Sequence, residues 1–158
     1  MPRSLANSQV QHLAPDCSSE QRIRCVAGGR SEAIFKGRIN VPQAAQRTDA
    51  QQLCRSLLLS DTATVNVMPS LEVVADDVSC THGATVADLD GDALFYLLAR
   101  GIPRAMAREL LVRAFVAEVL GPSGELPPAL GASVRARLED YGAEAAGRES
   151  LGYVYSSV

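Results

Sequence analysis

Short alternating segments return again and again over the first half of this chain, and none is joined to the next by a hairpin turn. From Ala33 to Val41, the residues Ala33, Phe35, Gly37, Ile39 and Val41 share one face while Lys36, Arg38 and Asn40 take the other, which predicts a half-buried strand. Gln21 to Val26 alternates in the same way and ends at Gly28-Gly29. Ala63, Val65 and Val67 again oppose Thr62, Thr64 and Asn66. Met68-Pro69-Ser70 is expected to turn the chain before Leu71 to Ala75 resumes it. The opening up to Cys25 is otherwise polar, and Gln43 to Arg55 reads as a crossing loop or short helix. A β-sandwich with this alternation would carry more Asn-Gly or Asp-Gly hairpin signals between its strands.

A loose internal echo points to a stacked architecture. Ser31-Glu32-Ala33-Ile34-Phe35, Asp61-Thr62-Ala63-Thr64-Val65 and Asp76-Asp77-Val78-Ser79-Cys80 superpose imperfectly as polar-polar-small-polar-apolar, at offsets of thirty and fifteen. Such returns suggest a β-solenoid, in which each rung stacks on the last. Aromatic residues make up only 4% of the chain and tryptophan is absent, so the core must be aliphatic and alanine-rich, which suits narrow, repetitive packing.

The period changes at Asp88. Asp90 is a good N-cap, Asp92 lies in the first turn, and Leu94, Phe95, Leu97 and Leu98 supply an apolar face before Arg100 and Gly101 close a short helix. Pro103 suits the first position of a second helix. There Ala107, Leu111, Phe115 and Val119 form one row, Met106, Leu110 and Ala114 the next, and Arg104 and Arg108 lie opposite. A third amphipathic stripe runs through Leu130, Val134 and Leu138. The expected organisation is a β domain over residues 1–87, a helical domain over 88–141 and a flexible tail over 142–158.

The chemistry-bearing residues are few. A formal charge of -3 argues against a general nucleic-acid or membrane-surface binder. Lys36 is the only lysine, which excludes a phosphate cradle of the P-loop type. Cysteines at 17, 25, 54 and 80 show no C-x-x-C spacing, no apolar run reaches the ~20 residues of a membrane helix, and the thiols are expected to be reduced and intracellular. Asp88-Leu-Asp90-Gly-Asp92 begins like a calcium loop but fails downstream at Ala93 and Ala99, so helix capping is the better account. His12, in a polar segment, reads as a solvated or capping residue. In Val78 to Val86, an extended chain places Cys80 and His82 on one face, ~7 Å apart along the strand. Either they share a soft metal, or Cys80 fills core beside a satisfied polar neighbour. Direct Cys-His nucleophilic chemistry is disfavoured at that separation.

The ordered motifs Phe35-Lys-Gly-Arg-Ile-Asn-Val, Ala45-Gln-Arg-Thr-Asp-Ala-Gln, Leu57-Leu-Leu-Ser, Leu71-Glu-Val-Val-Ala-Asp-Asp-Val-Ser-Cys-Thr-His-Gly-Ala-Thr and Leu94-Phe-Tyr-Leu-Leu-Ala-Arg-Gly-Ile resemble the carboxy-terminal part of the SufB/SufD family. Cys-Thr-His-Gly-Ala-Thr is closer to the SufD branch. The resemblance implies mainly β structure with α: part of a right-handed parallel β-helix, beginning midway, followed by a small helical domain. It implies a non-enzymatic scaffold subunit of iron-sulfur cluster assembly, in a bacterial cytoplasm or plastid stroma, with a SufB-type scaffold and a SufC-type ABC ATPase as partners. No cofactor is then held by this chain alone. A transient iron-sulfur cluster would sit at the partner interface, where His82 matches the family's histidine and Cys80 its neighbouring cysteine, and the helices, with Arg104 and Arg108, would carry the SufC contact. The alternative is a truncated module that binds the ATPase without assembling clusters.

Overall fold

The computed structural model describes residues 2–120 and the strand at 152–157. Six strands precede two helices: β1 (Arg3–Gln11), β2 (Ser18–Ala27), β3 (Glu32–Val41), β4 (Asp49–Leu58), β5 (Thr64–Val73) and β6 (Ser79–Asp88), then α1 (Gly91–Ala99) and α2 (Arg104–Ala117). A 3₁₀ turn, Glu118–Leu120, ends α2, and β7 (Gly152–Ser157) is the last described element. Successive strands alternate between two open sheets, one ordered β1-β3-β5 and the other β6-β4-β2-β7. All pairings among β1 to β6 are parallel, and β7 runs antiparallel to β2. The expectation of mainly β structure followed by helices holds in this form.

The true repeat is close to the echo but not equal to it. Arg3 pairs with Glu32, Glu32 with Thr64, Ser18 with Asp49, and Asp49 with Ser79. Phe35 therefore stands opposite Val67, whereas the echo placed it on Val65. An error of two residues leaves every side chain on its own face, so the echo kept the faces while missing the register, and the strands it joined lie in parallel, open sheets. The third echo segment runs into β6 and so belongs to the other sheet.

Two readings of local structure are overturned. β5 runs straight through Met68-Pro69-Ser70. Because β5 is an edge strand, a proline lacking its N–H can be accommodated there. The segment expected as a loop or short helix, Gln43 to Arg55, contains β4, and the polar opening contains β1. In both strands the inward positions carry small or polar residues, so the apolar alternation that announces a strand is missing. The third helical stripe lies outside the described residues. So does most of the expected tail, within which Gly152–Ser157 forms β7.

The core is the space between the sheets. Ile39, Val41, Ala45, Ala50 and Ala75 pack at one end, and Ile23, Cys25, Phe35 and Cys54 follow. Burying each of the larger side chains contributes about 1.5–3 kcal/mol. At one corner Asp16 and Arg47 stack in the left-handed region, at φ of 58° and 57°, and Arg47 donates Nε and Nη2 to both Asp16 carboxylate oxygens at 2.5 and 2.6 Å. That pairing holds the Asp16 carboxyl below its ordinary value of 3.8.

Helix α1 begins as expected, with Asp90 accepting from the backbone N–H groups of Asp92 and Ala93. It ends before Gly101, whose φ of 81° favours glycine. Helix α2 lies on the outer face of the second sheet, where Val112 and Val116 meet Val26 and Leu57. Its buried stripe is partly rotated from the expected one: Ala107 and Val119 are buried as expected, but Val112 and Val116 join them while Met106 and Leu110 face out. The sheet beneath sets this rotation. Buried Arg24 on β2 bonds Glu118 at 2.7 Å and lies 5.4 Å from the centre of the Phe115 ring, fixing the helix end to the sheet.

Candidate functional site at the last rung

Strand β6 closes the stack, because β4 is its only strand neighbour among the described residues. Cys80 stands in register with Ala50 and His82 with Gln52, both inward-facing and buried. Alternation therefore gives Cys80 and His82 the same face, as the sequence predicted. Their surroundings differ. Cys80 packs against the Ile39, Val41 and Ala50 cluster, and burial pushes its thiol up. His82 also faces inward, yet it is exposed, because among the described residues no strand pairs with β6 on its far side. Val86, two steps further along the same face, is half-exposed for the same reason.

Behind His82 lies a polar layer that sequence reasoning missed. Gln21, Gln52 and His82 occupy equivalent positions on β2, β4 and β6. Gln52 donates Nε2–H to Gln21 Oε1 at 2.5 Å, and Gln21 donates Nε2–H to Ser8 Oγ at 2.7 Å. Both glutamines are buried, at 2% and 1% exposure, between apolar layers on either side. Gly37 faces them from the other sheet, and a Cβ there would sit 2.4 Å from Gln52 Nε2. The signal that could have found this row is the spacing of Gln21, Gln52 and His82, which matches the strand repeat.

The other candidates sit apart from this row. Among the described residues no three His, Cys, Asp or Glu side chains converge to hold a metal. Cys25 and Cys54 are fully buried with sulfurs 3.9 Å apart, and the contact with Cys54 together with burial pushes the Cys25 thiol up. The same contact lowers the Cys54 thiol, yet complete burial keeps both sulfurs out of reach of any substrate. His12, expected to be a solvated or capping residue, is buried at 5% exposure and bonds Ser19 Oγ at 2.9 Å, so it is a structural polar contact and not solvated. Arg104 is exposed at the start of α2, whereas Arg108 donates Nη2–H to Leu59 O at 2.9 Å. The two helices leave Phe95, Tyr96, Met106 and Leu110 exposed at 72%, 55%, 55% and 44%.

Comparison with known proteins agrees with this layout. A family model described as SUF system FeS cluster assembly, SufBD core domain, matches residues 4–115. An iron-sulfur cluster assembly SufBD family protein of Synechocystis is 45% identical over 106 residues, covering 67% of this chain and 23% of that protein. The chloroplastic protein ABCI7 of Arabidopsis thaliana is 48% identical over 107 residues, covering 67% and 22%. The iron-sulfur cluster assembly protein SufD of Escherichia coli is 40% identical over 110 residues, covering 70% and 26%. The chain thus spans about a quarter of the length of these curated relatives. No helix among the described residues is long and apolar enough to cross a membrane. With the family model covering both the strand stack and the start of the helices, this chain belongs to the SufBD family of SUF-system iron-sulfur cluster assembly proteins.

Proposed function

We propose that this chain acts as a SufD-like, non-enzymatic scaffold segment, whose two parallel sheets are rungs of a β-helix and whose last rung presents His82 to a nascent iron-sulfur cluster. The observation that carries the reading is the placement of His82: an inward-row residue laid bare at an edge strand. A ligand there can be approached from outside, while Cys80, packed against the core with its thiol held up by burial, supports the rung and ligates only if it turns outward. The cluster is cargo, and its remaining ligands come from a SufB-type partner pairing at the free β5 and β6 edges. Open edges of this kind readily take a further strand.

The helices serve a second contact, with a SufC-type ATPase that supplies the nucleotide chemistry. Exposed Phe95, Tyr96, Met106 and Leu110 support a docking face there, flanked by Arg104. Arg108 is tied to Leu59 O, so its reversal would disturb the fold as well as the contact, and Arg104→Glu is the cleaner probe. The same surface favours the alternative of an ATPase-binding module without cluster assembly. Anaerobic co-expression with SufB-type and SufC-type partners, followed by pull-down and visible spectroscopy of the purified complex, separates the two. His82→Ala should leave the complex intact and lower its cluster content. Equal cluster content in wild type and variant would remove His82 from the site.

A further inference from the structure

We infer that Gln52 is a positioning residue for His82: the buried amide row ends in a lone acceptor that receives a ring N–H of His82 and leaves the other ring nitrogen, with its lone pair, facing outward. The inference rests on the reading of His82 as a ligand and deepens it. The row has a direction. Gln21 donates across the core to Ser8, in register with Gly37 one level further on, and Gln52 donates back to Gln21, so neither amide spends its N–H on the β6 side. A planar amide carries its oxygen on the side opposite its nitrogen, so with Nε2 directed at β2, Oε1 of Gln52 is turned toward the β6 side. That oxygen is sealed from solvent and has no hydrogen-bond partner among the described residues. A buried acceptor without a donor is costly, so a nearby donor will be drawn to it.

Only one side chain of the next rung in this layer can supply that donor. Its two members are Pro69 on β5, in register with Gly37, and His82 on β6, in register with Gln52. Proline has no N–H, and the imidazole has one in its neutral form. A turn of the His82 side chain closes the gap without moving the backbone, since in-register neighbours on adjacent strands are ~4.8 Å apart. A ligating histidine commonly has its second nitrogen held in this way, which fixes both tautomer and ring plane. Gly37 completes the arrangement, because the space its missing Cβ leaves is filled by the Gln52 amide.

Ring-nitrogen NMR of His82 in the full 158-residue chain tests the inference, at a pH well above the ordinary imidazole range. One tautomer should dominate in the wild type, seen as a wide separation of the two ring-nitrogen shifts. Gln52→Met, of similar length and without an acceptor, should reduce that separation by more than half. Gln52→Glu keeps an acceptor facing His82 and should preserve it, because Gln21 can flip and Ser8 can donate in its turn. Gln21→Met leaves the acceptor in place but frees its amide to rotate, and should give an intermediate separation, which keeps the test open if Gln52→Met fails to fold. Unchanged ring shifts in a folded Gln52→Met or Gln21→Met, or a mixed tautomer in wild type, overturn the inference. The readout needs no cluster, so a failed ligand role, scored by cluster content in His82→Ala, is distinguishable from a failed amide row.

Discussion

Replacing Gly37 with alanine probes the buried amide row from the opposite sheet. Gly37 is not among the residues with positive φ, so its backbone accepts alanine without strain, and the loss of unfolded-state freedom would by itself stabilise by about 0.4–1 kcal/mol. Packing opposes this. The new Cβ would stand 2.4 Å from Gln52 Nε2 and 2.8 Å from its Cδ and Oε1, and the amide it meets is pinned to Gln21. Overpacking of this kind costs about 1–3 kcal/mol. Pushing the amide aside leaves Gln21 Oε1 buried without a donor, at about 1–3 kcal/mol more. The net expectation is a loss of about 3 kcal/mol, with the midpoint of thermal unfolding lowered by on the order of 10 °C. Urea and thermal unfolding of the full chain measure both. Gln52→Ala supplies the control: in that background the alanine at 37 meets empty space, and its cost should vanish or change sign. A loss below about 0.5 kcal/mol in the wild-type background, or an equal loss in the Gln52→Ala background, would show that Gly37 is not held by the amide.

Other perturbations separate further parts of the structure. Arg24 is 4% exposed while its partner Glu118 is 52% exposed, so Glu118→Ala strands a buried charge and should cost about 1–2 kcal/mol in urea unfolding after allowance for solvent screening, whereas Arg24→Met, which releases Glu118 to water, should cost less. Asp16 has a lowered pKa in the folded chain because Arg47 bonds it, so its contribution is fully present above the unfolded value near 3.8 and is lost as pH falls through the lower folded value. Asp16→Asn should therefore weaken the chain at neutral pH and converge with wild type in acid, and a difference that persists at low pH would assign the effect to something other than charge. Alkylation followed by mass spectrometry should modify Cys17 readily, Cys80 slowly, and Cys25 and Cys54 only in denaturant, because the last two are fully buried.

Strands β2 and β3 were legible because they alternate apolar and polar residues in the ordinary way, and α1 because Asp90 and Asp92 announce its start. The common face of Cys80 and His82 was legible for the same reason: period two belongs to any extended chain. β1 and β4 were not, since Ser4, Ala6 and Ser8 on one, and Ala50, Gln52 and Ser56 on the other, place small or polar residues where a strand's core face should be apolar. The rotation of α2 was hidden as well. Its sequence offers apolar residues on more than one side, and only contact with Val26 and Leu57 selects Val112 and Val116 for burial.

Local chemistry along the chain is enough to set strand period, helix caps and the membership of His82 in an inward row, because each depends on neighbours a few residues away. Whether an inward glutamine is an error or a link depends on residues about thirty positions distant, brought to hydrogen-bonding distance only when the rungs stack. Gln21 and Gln52 are tolerable in the core because they bond each other, and His82 is exposed because among the described residues no strand pairs beyond β6. A polar group's burial is decided by its partner, and for Gln52 that partner is Gln21 on the neighbouring strand.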